Sequence, residues 1–143
     1  MAVGYRLQPP PASPQDIERL EREAGRLPDE YTEFLRRQDG GYLEDNDQAL
    51  KVIFGLGDVP DALNMWKKLK TFSGRHPSWL LPVAQDEYGN LFCLSLRNED
   101  FGTVWFWDHE EEADEDEPPT EDNVSEIAAD WRAFVERLGP IEE

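Results

Sequence analysis

The sequence is poor in several residues on which secreted proteins and many enzymes depend. It has one cysteine, Cys93, so no disulfide can form within the chain. No apolar run approaches the roughly 20 residues that a membrane-spanning helix needs. The first residues lack the basic and apolar segments of a secretory signal. We therefore expect a cytoplasmic protein that does not contact a membrane.

Candidate catalytic residues are also few. Cys93 lies within an apolar run, where a thiol is expected to pack rather than to react. The sequence holds two histidines. His76 stands in a basic segment, and His109 begins an acidic one, so neither has an obvious nucleophile to activate. No glycine-rich phosphate loop precedes a helix. We predict that the chain is not an enzyme and needs no cofactor.

Positive charge is the third shortage. The sequence carries 14 lysines and arginines against 32 aspartates and glutamates, for a formal net charge of -18. Such a surface repels phosphate backbones, so we predict that it does not bind nucleic acid. It attracts basic proteins and speeds their encounter, which predicts a basic protein partner. Solubility alone would also account for the charge, and composition does not separate the two explanations.

The acids are concentrated in one segment, residues 108–122, which holds ten of them and no lysine or arginine. Mutual repulsion and two prolines predict a mobile, solvated loop. The segment lacks the spacing of a calcium-binding loop, so we predict no metal site.

The remaining patterns indicate an α+β fold in a single domain, residues 1–143. Residues 1–12 predict an extended lead-in. Helix-starting signals at Pro14 and Pro28 precede a series of β-rich segments, and a closing amphipathic helix is predicted from about Val124. We expect an antiparallel-dominated sheet of four to six strands between Tyr42 and Trp107. The N-terminal helices and the C-terminal helix should pack on one of its faces.

Four motifs together resemble the signature of the SUKH superfamily, which unites fungal cell-wall assembly regulators of the Smi/Knr type with bacterial toxin-immunity proteins. One difference is that Asp39 stands where asparagine is usual before the two glycines. The matching residues occur in order over residues 13–139: Leu27-Pro28-Asp29-Glu30-Tyr31 with Phe34-Leu35 and Gly40-Gly41; Val83-Ala84-Gln85-Asp86 with Gly89-Asn90 and Phe92; Gly102-Thr103-Val104-Trp105 with Trp107-Asp108-His109; and Ile127-Ala128 with Trp131, Phe134 and Leu138.

The resemblance implies a non-catalytic domain that binds another protein. One interpretation is an immunity protein that neutralises a bacterial polymorphic toxin, for example a nuclease. The alternative is an intracellular scaffold or regulator of the cell-wall assembly type. An antidote should bind one partner tightly, whereas a scaffold should bind more weakly and broadly.

Two features predict where the partner binds. The acidic segment leaves an aromatic strand, and a predicted hairpin loop at residues 85–89 carries further acids. Carboxylates would imitate a phosphate backbone, and exposed tryptophans would supply desolvated anchors. The predicted partner-binding residues are Asp86, Glu87, Trp105, Trp107, Asp108, Glu110, Glu111, Glu112 and Asp114.

Overall fold

A computed structural model describes residues 3–141, so residues 1–2 and 142–143 of the predicted domain lie outside the described part. Its sheet has seven strands in chain order, and each pairs antiparallel with the next. They are β1 (Tyr5–Leu7), β2 (Gly41–Leu43), β3 (Leu50–Ile53), β4 (Leu80–Asp86), β5 (Leu91–Ser95), β6 (Val104–Trp107) and β7 (Val124–Ala128). The α+β class is confirmed, and the sheet is a continuous meander.

Four α-helices accompany the sheet: α1 (Pro14–Ala24), α2 (Asp29–Arg37), α3 (Met65–Phe72) and α4 (Trp131–Glu136). In three of these helices, the N-cap side chain accepts a hydrogen bond from a backbone N–H group that has no partner within the helix. Ser13 caps α1, Asn64 caps α3 and Asp130 caps α4. None of the helices in residues 3–141 has the length and apolar character needed to cross a membrane.

The prediction of four to six strands is wrong by the two outermost strands. Residues 5–7 lie in the predicted lead-in, and their three-residue strand is too short to show an alternating pattern. Residues 124–128 were interpreted as the start of the closing helix because Asn123 and Glu126 have capping-box spacing. They form β7 instead, since pairing with β6 satisfies their backbone groups, and Asp130 begins α4.

The prediction places the N-terminal and C-terminal helices on one face, and α3, which it does not include, packs on the face opposite to α4. Phe106 and Trp107 are adjacent in β6 and therefore point to opposite faces. Phe106 contacts Phe92, which contacts Phe134 of α4. Trp107 contacts Phe72 of α3 on the other side, with ring centroids 5.7 Å apart. Helices therefore pack on both faces of the sheet, and exposed residues remain on the edge strands β1 and β7 and at the ends of the strands.

Helices α2 and α4 pack against each other through aromatic rings. Trp131 meets Tyr31 and Phe34 edge-on, with centroid distances of 5.4 and 5.5 Å. Trp131 and Tyr31 are both buried. Thus the first and last of the four sequence motifs form one aromatic cluster, and their function is packing.

The turn after α2 brings its backbone close to the segment that follows β3. Gly40 has a φ of +75°, and a Cβ atom there would lie 2.4 Å from the Ile53 carbonyl oxygen. The buried Asp39 carboxylate accepts hydrogen bonds from the backbone N–H groups of Leu56 and Gly57, at 2.6 and 2.8 Å. Each carboxylate oxygen takes one bond, whereas an asparagine would offer a single oxygen. This arrangement accounts for aspartate at a position where the superfamily usually has asparagine.

We predict that Trp131→Ala lowers the free energy of unfolding by about 3–5 kcal/mol, since it removes the ring at the centre of the α2–α4 cluster. The control Arg132→Ala removes the exposed ion pair with Glu33. It should change the free energy of unfolding by less than about 0.5 kcal/mol. Urea unfolding of both variants gives the comparison. A Trp131→Ala effect below about 1 kcal/mol would show that the ring is not a core residue.

Candidate functional site

The β4–β5 hairpin loop and the start of the acidic segment meet at one end of the sheet. Leu91 pairs with Trp107 in the β5–β6 ladder, so residues 86–90 and 108–112 continue from the same end of adjacent strands. The backbone N–H of His109 donates to Asn90 Oδ1 at 3.1 Å. His109 Nε2 lies 2.7 Å from the Tyr88 carbonyl oxygen, which can only accept, so Nε2 carries the proton. We call residues 86–90 and 108–112 the acidic end.

Asp86 holds the hairpin loop in shape. Its carboxylate accepts from the backbone N–H groups of Tyr88 and Asn90, both at 2.9 Å, and from Asn90 Nδ2 at 3.0 Å. The residue is only 6% exposed. The structure therefore places this predicted contact residue inside the loop, as a brace and not as a surface that a partner reaches.

The hairpin loop that Asp86 holds in shape requires glycine at position 89. Gly89 has a φ of +92°, which disfavours any residue with a side chain. A Cβ atom there would also lie 3.3 Å from His109 Nε2. The second and third sequence motifs are thus joined in space, because Asp86, Gly89 and Asn90 supply one side of the contact and His109 the other.

Three of the predicted carboxylates are exposed together at this end. Glu87 is in the hairpin loop, and Glu110 and Glu111 are in the 3-10 turn His109–Glu111. Asp108 caps that turn by accepting the Glu110 N–H at 3.0 Å. Asp108 is partly buried, so its carboxylate serves the turn while the other three face solvent.

Glu112 has a different role, because it pairs with Arg75 in the loop after α3. Two hydrogen bonds join them, from Arg75 Nε at 3.0 Å and from Nη2 at 2.8 Å. The guanidinium holds the pKa of Glu112 below its ordinary value by bonding to the charged form. This acid is therefore already neutralised and tethers the acidic segment. Asp114 is exposed beyond it, on the rim of an open cavity that Arg75 and Glu112 also line.

The two predicted tryptophan anchors do not adjoin the exposed acids. Trp107 is 0% exposed, which excludes it as a contact residue in the folded protein. Trp105 is half-buried, donates from Nε1 to Thr103 Oγ1 at 2.8 Å, and packs edge-on against Trp79 at 5.1 Å. The guanidinium of Arg97 covers Trp79, 3.6 Å from the ring centroid. Trp105 also lies two residues further along β6, away from the acidic end.

Tyr88 is exposed at the acidic end but is not among the predicted contact residues. It is 68% exposed, and both its N–H and its carbonyl take part in the hydrogen bonds described above. Its position between a turn-forming Asp86 and Gly89 is the signal that could have identified it, since hairpin tips project into solvent.

The fold and the acidic end together define a small α+β domain with helices on both faces of an antiparallel sheet and an exposed acidic strand end. The SMI1 / KNR4 family (SUKH-1) matches residues 11–137, and the chain belongs to this family. It is similar to the SPbeta prophage-derived uncharacterized protein YokK of Bacillus subtilis (strain 168), with 28% identity over 123 residues. That match covers 67% of this chain and 62% of the length of YokK.

We predict that Asp86→Ala lowers the free energy of unfolding by about 1–3 kcal/mol, because three N–H groups lose a charged acceptor. The adjacent Glu87→Ala, which removes an exposed carboxylate, should change it by less than about 0.5 kcal/mol. Urea unfolding compares the two variants. Equal effects would contradict the assignment of Asp86 as the brace.

We also predict that Arg75→Ala raises the pKa of Glu112. In the folded protein this pKa lies below the ordinary value of 4.5, so the pair stabilises the fold at pH values above it. That contribution is lost as the pH falls through the folded pKa. A carbon-13 NMR titration of the carboxyl groups measures the shift. Lys67→Ala, which removes the exposed ion pair with Asp61, is the control and should leave the pKa of Glu112 unchanged.

Proposed function

We propose that this chain is a non-catalytic immunity protein, which neutralises a basic toxin domain by binding it through the acidic end. The observation that carries the proposal is the exposure of Glu87, Glu110 and Glu111 on two loops that are tied to each other. Membership of the SMI1/KNR4 family supports a protein-binding role.

The charge of the whole chain supports the same partner. A net charge of -18 raises the local concentration of cationic proteins, and carboxylates projecting from the acidic end orient the encounter. A toxin that acts on nucleic acid presents lysine and arginine to phosphate groups. The same cationic surface fits this end, so binding there would exclude the substrate from the toxin.

The cysteine and the two histidines are buried or engaged in contacts, which supports a role without catalysis. Cys93 is fully buried, and burial raises the pKa of its thiol. Burial lowers the pKa of His76, whose Nδ1 lies 2.9 Å from the Pro77 carbonyl oxygen. His109 is engaged in the contact between the two loops.

The immunity role predicts that a toxin is encoded beside this chain's gene, and co-expression and binding kinetics with the protein product of that neighbouring gene test the role. We expect the wild-type chain to restore growth of cells that produce this protein, and to bind it with nanomolar or tighter affinity. Weak binding to several proteins without protection would contradict the immunity role and fit a scaffold instead.

We predict that the double variant Glu110→Lys and Glu111→Lys slows association with this partner by about tenfold or more at low salt, because steering is lost. The dependence of the rate on salt should become flatter. Glu18→Lys with Glu21→Lys on the exposed face of α1 makes the same change in net charge and is the control. Equal slowing in both double variants would mean that only net charge matters, and not the acidic end.

A further inference from the structure

We propose that Tyr88 is the aromatic anchor of the acidic end, and that it receives an apolar side chain flanked by arginine or lysine on the partner. This inference rests on the proposed function and specifies the chemistry of the surface that the partner presents.

The exposure of Tyr88 is the first observation. Among the large hydrophobic side chains of residues 3–141, three are exposed: Leu7 at 39%, Ile141 at 58% and Tyr88 at 68%. Leu7 lies on the edge strand β1, and Ile141 lies at the last described position of the chain. Tyr88 has the largest exposed fraction of the three and is the one that projects from a hairpin tip within the acidic end.

The second observation is that the backbone of Tyr88 is fixed from both sides. Its N–H donates to the buried Asp86 carboxylate at 2.9 Å, and its carbonyl accepts from His109 at 2.7 Å. A tyrosine side chain has two main torsions, so ordering it on a fixed backbone costs little conformational entropy. Tyrosine is also enriched among the residues that contribute most to protein interfaces. A pre-positioned, exposed ring has the properties of an interface anchor.

The charge around Tyr88 indicates the kind of partner surface that would contact the ring. Glu87 precedes the ring in sequence, and Glu110 and Glu111 follow directly on His109, which contacts the Tyr88 carbonyl. These acids repel a second copy of this highly acidic chain. They attract cationic side chains, whose guanidinium or ammonium group also binds favourably over an aromatic face. Carboxylates alone would accept any cation, whereas the ring favours an apolar group between the cations.

The test uses two defined peptides as probes of the isolated full chain, followed by NMR chemical shifts at low salt. One peptide has two arginines on each side of a leucine, and the other has glycine in place of the leucine. We expect shift changes centred on residues 87–88 and 109–111, and an affinity about threefold or more higher for the leucine peptide. Tyr88→Ala should abolish this difference, whereas Leu7→Ala, the matched loss of exposed apolar surface, should preserve it.

Two further variants distinguish the contribution of the Tyr88 ring from that of the residue that positions its loop. Tyr88→Phe should keep the leucine preference, because the ring makes the contact. His109→Ala should weaken the preference for the leucine peptide, because His109 positions the loop. The shift changes should still centre on residues 87–88 and 109–111. Shift changes centred on residues 114–119 or on the groove between α2 and α4 would overturn the proposal. So would a full leucine preference in Tyr88→Ala, or no saturable change with either peptide.

Failure of the proposed function gives a different result. If the peptides map to Tyr88 with the expected preference but the chain does not protect cells, the recognition chemistry stands and the immunity role is wrong. If the chain protects cells but Tyr88→Ala binds both peptides as the wild type does, the immunity role stands and the anchor assignment is wrong.

Discussion

The buried carboxylate of Asp86 is the interaction on which the candidate site depends. Its three accepted hydrogen bonds fix the backbone of Tyr88 and both the backbone and the side chain of Asn90. Asn90 in turn accepts from His109, and His109 reaches back to the Tyr88 carbonyl. One buried acid therefore determines how two loops from different hairpins present their exposed groups. This carboxylate contributes to the stability of the loop through internal hydrogen bonds, although its neighbour Glu87 in the acidic end is an exposed acid.

The acidic segment is divided between internal and external roles. Asp108 caps a turn and Glu112 pairs with Arg75, whereas Glu110 and Glu111 point to solvent. A run of like charges is thus kept near the sheet by contacts that two of its own members make. The first five residues of the predicted mobile loop make these contacts and include the 3-10 turn His109–Glu111. Under the proposed function, this combination of local order and exposed charge adds directional attraction of a basic partner to a general negative field.

Much of the fold follows from local sequence signals, because helix caps and turn residues act over three or four positions. The start of α1 at Pro14, the start of α2 directly after Pro28 and the positive φ of Gly89 could be predicted in this way. Strand β7 could not, because its pairing with β6 is a tertiary interaction and its first residues imitate a helix cap. Strand alternation places adjacent residues such as Trp105 and Phe106 on opposite faces of the sheet, but which rings are covered depends on where α3 packs.

In the candidate site too, features that depend on tertiary contacts could not be predicted from the sequence. That acids lie near the ends of the strands could be predicted from the sequence, yet Asp86 and Glu87 are indistinguishable by charge and adjacent in sequence. Only the folded loop shows that one is a buried acceptor and the other is exposed. Tyr88 lies in the predicted hairpin loop, but the contact residues predicted there are chosen by negative charge, and tryptophans of the neighbouring strand are chosen as the aromatic anchors. The exposure of Tyr88 results from the turn, whose shape requires hydrogen bonds to Asp86 and His109.

Amide hydrogen exchange of the chain, alone and in complex with a toxin from which it protects cells, tests the central claim most directly. Binding through the acidic end predicts new protection in residues 86–90 and 108–112, with little change in α2 and α4. Protection confined to residues 40–47 or to the groove between α2 and α4, with unchanged exchange at the acidic end, would contradict the account.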